Sequence, residues 1–103
     1  MKYCMVLVAC AGKTFAENLA GKLVENRLAA CVQVQPVTSI YTWEGQVHTE
    51  PEFRMVIKTK SERYPEVEAF ITAHHGYEVP QILCVPIETG LASYLNWMDE
   101  NIN

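Results

Sequence analysis

Apolar residues crowd the start of the chain so closely that both faces of an extended segment carry them. Between Lys2 and Ala11, Cys4, Val6 and Val8 share one face while Met5, Leu7 and Ala9 share the other. A strand that is apolar on both sides belongs in the middle of a sheet. The period then changes. Phe15, Leu19 and Leu23 recur at helical spacing together with Ala16, Ala20 and Val24, leaving Asn18, Lys22 and Glu25 to water, which predicts a helix from about Phe15 to Asn26. Thr14-Phe15-Ala16-Glu17 has the spacing of a capping box, so Thr14 is expected to cap that helix.

From Ala29 to Trp43 the alternation has period two, but its phase changes at Pro36: Val32 and Val34 are the apolar set before it, Val37, Tyr41 and Trp43 after it. This predicts a long strand with a bulge or bend. Glu44-Gly45 suits a two-residue turn, and Gln46 to Lys60 forms the return strand. With Trp43 opposite Gln46, Val34 faces Met55, Val32 faces Ile57, Tyr41 faces His48 and Cys31 faces Lys58, so apolar residues meet on one face. Pro51 cannot donate to the ladder and predicts a second irregularity.

Ser61 to His74 reads as a second helix, with Pro65 in its first turn and Val67, Phe70, Ile71 and, in part, His74 on the buried side. Gln81 to Ile87 is a short strand that Pro86 assigns to an edge, and Leu91 to Glu100 is a last helix presenting Leu91, Tyr94, Leu95 and Met98. The order is the ferredoxin-like βαββαβ split pattern with an extra C-terminal helix, an α+β fold with an antiparallel sheet. The first and third strands are then central, and the second, carrying Tyr41 and Trp43, lies at an edge. Such an edge is a liability unless another chain covers it. A closed homo-oligomer is expected, with the hairpin tip reaching across a neighbour.

Composition narrows the partners. The 103 residues suffice for one domain, and with half of them hydrophobic and 19% charged the chain is globular rather than disordered. A net charge of -4 with no basic run argues against nucleic acid. Cys4, Cys10, Cys31 and Cys84 form no Cys-x-x-Cys pair, which excludes a zinc ribbon or thioredoxin motif; they read as buried thiols in a reducing compartment. Leu7-Val8-Ala9-Cys10 imitates a lipoprotein cleavage box, but the leader before it is too short. No segment approaches the ~20 apolar residues that span a bilayer. A cytoplasmic protein without membrane contact is expected.

Candidate chemistry concentrates in His74-His75-Gly76-Tyr77-Glu78-Val79-Pro80, where two of three histidines stand side by side at a predicted helix end. Histidine ligates metals and titrates near neutral pH, although adjacent histidines at a helix terminus also serve as caps. Cys31-Val32, Thr38-Ser39-Ile40-Tyr41-Thr42-Trp43-Glu44-Gly45, Ile57-Lys58-Thr59, His75-x-Tyr77-Glu78-Val79-Pro80, Pro86-Ile87 and Tyr94-Leu95-x-Trp97 together resemble the CutA family of divalent-cation tolerance proteins, in order and over essentially the whole chain. The resemblance implies a ferredoxin-like homotrimer, similar in architecture to PII signalling proteins and implicated in tolerance to divalent metals and copper. It implies that Tyr41, Trp43, Lys58, His75, Tyr77 and Glu78 lie near subunit interfaces, and it matches His74-His75 to a histidine pair proposed for copper in some members. The cysteine that accompanies that pair aligns with Val8, and Cys10 stands two residues, or about 7 Å, further along the strand. Gly76 replaces a frequent Pro, and Gln81 a common Glu.

Two functions follow. One is a small trimer binding copper or another divalent transition metal through His74, His75 and Cys10, since sulfur and imidazole favour Cu(I) or Zn over hard cations. Consecutive helical residues point about 100° apart, so both histidines reach one ion only if the helix ends between them. The other is a PII-like signalling or assembly module, with a pocket between subunits for a small ligand or a partner protein, supplied by Tyr41, Trp43, Lys58, Tyr77 and Glu78. No glycine-rich phosphate loop favours a nucleotide. Catalysis by His75 and Glu78 lacks a nucleophile motif or cofactor fingerprint, so no enzyme and no organic cofactor is expected. Ordinary interface packing competes as an account of Tyr41, Trp43 and Tyr77.

Overall fold

The structure, a computed structural model, describes residues 1–103. In chain order it contains β1 (Tyr3–Cys10), α1 (Lys13–Glu25), β2 (Cys31–Trp43), β3 (Gln46–Lys60), a 3-10 turn (Ser61–Arg63), α2 (Tyr64–His74), β4 (Ile82–Ile87) and α3 (Ala92–Asn101). The strands form one antiparallel sheet in the order β2-β3-β1-β4. This is the ferredoxin-like arrangement, with β1 and β3 central and β2 and β4 at the edges.

The two apolar faces of β1 have different fates. Cys4, Val6, Val8 and Cys10 are buried with Met55 and Ile57 of β3 beneath Ala16, Leu19 and Leu23 of α1 and Val67 and Ile71 of α2. Burial of each large aliphatic side chain there stabilises the fold by roughly 1.5–3 kcal/mol. Within this layer Thr59 Oγ1 donates to the Leu28 carbonyl at 2.6 Å, so its buried hydroxyl is satisfied. On the opposite face the register aligns Met5 and Leu7 with Val56, Leu83 and Val85, and this face is only partly covered; Leu83 remains 55% exposed. The helix α3 closes one end of it, burying Met98 and Ile102 with Ala30 against Tyr3 and Leu95. Asp99 fastens that helix, accepting from Tyr3 Oη at 2.7 Å and pairing with Lys2 at 3.2 Å and Lys60 at 3.5 Å.

The hairpin register is the one expected, from Cys31 opposite Lys58 to Trp43 opposite Gln46, across a turn in which Glu44 (φ 50) and Gly45 (φ 77) both take positive φ. The expected bulge at Pro36 is absent, because pairing runs without interruption through Pro36 opposite Phe53. The phase change instead records which face carries apolar residues: Val32 and Val34 lie on the helix-covered face, Val37, Tyr41 and Trp43 on the other. Pro51 also keeps register, opposite Thr38. Pairing with β1 ends at Cys10 opposite Phe53, so at Pro51 the strand β3 has a neighbour on one side only and a missing N–H is tolerated.

Other expectations need correction. The helix α1 begins at Lys13 with Gly12 as its cap and no side-chain cap bond, because the Ala16 amide closes the first turn on the Gly12 carbonyl at 3.0 Å; Thr14 is already inside the helix. His74 is exposed rather than partly core. Cys4 and Cys10 are buried, but Cys31 is half-buried and Cys84, on the β4 edge, is exposed. No helix is long and apolar enough to cross a membrane.

Candidate functional site

The end of α2 separates the two histidines. His75 is extended (φ -79, ψ 143), although its amide still donates to the Ile71 carbonyl at 2.8 Å, so the helix stops between His74 and His75. His74 stays on the helix, its Nδ1 donating to the Phe70 carbonyl at 2.7 Å and its ring stacked on Phe70 with centroids 4.4 Å apart. His75 turns to the end of β1. There Nε2 donates to the Ala9 carbonyl at 2.7 Å and Nδ1 accepts from the Tyr77 amide at 3.1 Å, which fixes the Nε2–H tautomer and occupies both ring nitrogens. The ring also meets the edges of Phe15 at 5.7 Å and Tyr77 at 4.7 Å. His75 therefore clamps the 75–81 loop onto the sheet.

This clamp carries Tyr77 over β3, where its hydroxyl donates to Glu52 Oε2 at 2.8 Å. Glu52 stands opposite Val37 in the hairpin and is only 8% exposed. Burial, then the hydrogen bond to Glu52 and the negative charge of that carboxylate, push the Tyr77 phenol well above its ordinary pKa, so it remains a donor. Cys10 Sγ donates to the Phe53 carbonyl at 3.6 Å. Burial and the nearby Glu52 charge push its thiol up, which disfavours the thiolate a metal requires.

A cavity of about 650 Å³ opens between the loop and the hairpin, with Tyr41, Trp43, Glu52, Tyr77 and Glu78 in its walls. Tyr41 is backed by His48, stacked at 5.5 Å. Behind the loop a second cavity of about 200 Å³ is lined by Cys10, Phe15 and His75, and Gly76 and Tyr77 belong to both. Within one chain the structure brings Tyr41, Trp43, Tyr77 and Glu78 to this cavity and places Lys58 elsewhere. That residue lies six positions along β3 from Glu52, about 20 Å of strand, with Nζ donating to Tyr94 Oη at 3.3 Å beside α3. Cys10 and His75 share the smaller cavity, while His74 lies on Phe70 outside it. No three His, Cys, Asp or Glu side chains converge in a group suited to a metal ion.

Glu52 was not legible as a site residue. Its one signal was the register, which sets a carboxylate opposite Val37 in the interior of a long hairpin.

A family model described as CutA1 divalent ion tolerance protein matches residues 4–101. The chain belongs to the CutA1 family. It is 44% identical over 87 residues to a divalent-cation tolerance protein CutA of Archaeoglobus fulgidus, covering 84% of this chain and 85% of that one. It is 40% identical over 98 residues to the protein of the same description from Thermus thermophilus, covering 94% and 95%. Among solved structures, an Archaeoglobus fulgidus CutA described as periplasmic superposes with a TM-score of 0.96 at 38% identity over 98% of this chain and 99% of that one. An Oryza sativa CutA1 does so with a TM-score of 0.96 at 33% identity over 100% and 95%. The residues matched by the family model span the entire fold, including the hairpin and the 75–81 loop.

Proposed function

We propose that this protein serves divalent-cation tolerance as a homotrimer that takes up a small ligand in the cavity between the hairpin and the 75–81 loop, in the manner of a PII-like module. The observation that carries this reading is the cavity itself. Its volume of about 650 Å³ lies in the range of small-molecule sites, about 300–1,000 Å³, and its walls combine three aromatic rings with a buried carboxylate. Assembly is supported by the open edge of β2, the partly bare apolar face around Leu83 and the exposed hairpin residues Ile40 and Val47. A reducing compartment such as the cytoplasm suits the four unpaired cysteines, although the Archaeoglobus relative is described as periplasmic.

A second reading is a copper ion, or another divalent transition metal, at Cys10 and His75, favoured by their common cavity. It requires His75 to give up one hydrogen bond and Cys10 to lose a proton that its surroundings retain. Calorimetric titration of copper and zinc into the wild type, His75→Ala and Cys10→Ser decides between the two. The cavity reading expects metal affinities that both substitutions leave within about threefold. Tight binding that both abolish would move the working site to Cys10 and His75.

A further inference from the structure

The chemistry of the cavity walls defines the class of ligand. We infer that the cavity selects a small organic cation, an ammonium compound whose charge lies against Glu52 and whose alkyl groups lie among the rings of Tyr41, Trp43 and Tyr77. This inference rests on reading the cavity as a ligand site.

The argument begins with Glu52. Glu52 is only 8% exposed and stands in the wall of the cavity, where a positive charge would gain from meeting its carboxylate. Its Oε2 accepts from Tyr77, a neutral donor, whereas Oε1 accepts no hydrogen bond from the chain and neither oxygen joins an ion pair. Arg54 is two residues on along the same face of β3, yet it neither pairs with Glu52 nor lines the cavity. A positive charge can reach Glu52 from the cavity side. There Glu78 adds a second carboxylate, and no Lys, Arg or His lines the walls, so an anion is repelled and a neutral molecule leaves Glu52 uncompensated. Aromatic rings attract cations through their quadrupoles and, with a carboxylate beside them, suit alkylated ammonium groups. A hard metal ion is the poorer fit, since it seeks six or more oxygens, and in these walls the side-chain oxygens of Glu52, Glu78, Ser39 and Gln81 are set among aromatic rings and the aliphatic Ile40 and Val79.

The test uses calorimetry on the full chain with two probes of equal shape: choline, and its uncharged carbon isostere 3,3-dimethylbutan-1-ol. Choline is expected to bind at least about tenfold more tightly than the isostere, and Glu52→Gln to remove that advantage while leaving the isostere's affinity unchanged. Trp43→Leu, at a half-exposed hairpin position, keeps the test decisive should Glu52→Gln fail to fold; it is expected to weaken choline more than the isostere. Equal affinities for the two probes, or choline binding indifferent to Glu52→Gln, would overturn the inference while leaving the cavity a ligand site. Failure of both probes to bind would overturn it as well; a screen of neutral and anionic metabolites by thermal shift then judges the ligand-site reading separately. If the wild type ignores choline and Glu52→Gln dissociates the oligomer in light scattering, the cation is a side chain of a second copy and the small-molecule assignment falls.

Discussion

Tyr77 shows how one phenol couples the 75–81 loop to the sheet. Its amide is held by His75, its ring touches the same imidazole, and its hydroxyl is the one hydrogen-bond donor that the chain gives to Glu52. Tyr77→Phe keeps the ring and leaves a buried carboxylate unsatisfied, so it is expected to destabilise the fold by about 1–3 kcal/mol at neutral pH, read as a lower urea midpoint with an unchanged slope. The pH dependence has a definite sign. The folded pKa of Tyr77 is raised, so its contribution is complete below the unfolded value of about 10 and is lost as pH rises towards the folded one. Above pH ~10 the gap between wild type and Tyr77→Phe should therefore narrow, and a gap that stays constant would remove the phenol's proton from the account. Tyr3 and Tyr64, whose phenols are raised by Asp99 and Glu68, are common to both proteins and cancel in the comparison.

At the scale of elements, α3 depends on polar fastening more than its neighbours do, since it buries only Met98 of its own length while α1 buries three residues. Hydrogen bonding from Tyr3, together with Lys2 and Lys60, holds the Asp99 carboxyl below its usual range. A lowered folded pKa means stabilisation that is present above the unfolded value of about 3.9 and lost as pH falls through the folded one. Acidification below pH ~4 should therefore loosen α3 ahead of the sheet, seen as faster amide exchange confined to Ala92–Asn101, and Asp99→Asn should reproduce that pattern at pH 7. Uniform exchange across sheet and helix would contradict it. The elements themselves were largely legible. Hairpin register followed from Glu44-Gly45 because a two-residue turn with two positive φ values leaves one pairing, whereas alternation misled at Pro36 because it reports which face is covered and not whether the ladder is continuous. The site was half legible for a related reason. Tyr41 and Trp43 could be read from the hairpin and Tyr77 and Glu78 from the loop, but the meeting of loop and Glu52 depends on where α2 releases the chain, which no local pattern encodes.

The whole molecule is elongated, 44 × 25 × 22 Å, and its radius of gyration of 14.1 Å exceeds the ~13 Å of a compact chain this long. The excess comes from the hairpin, which runs past the end of β1 and carries Ile40 at 71% and Val47 at 75% exposure on the same face of the ladder. Both surround an open edge strand, and the partly bare face at Leu83 adds a third apolar region that a single chain leaves to water. Closing these surfaces against copies of the chain would remove the edge and bury the arm, and the hairpin would then owe its order to assembly as much as to its own turn. Light scattering is expected to give three times the chain mass for the wild type. Its melting temperature should rise with protein concentration, as mass action requires of an associated native state. The double variant Ile40→Lys, Val47→Lys introduces like charges where neighbouring arms would pack, and should yield a smaller species whose melting temperature is lower by several degrees and independent of concentration. A wild type that scatters as a single chain at every concentration would defeat the assembly argument.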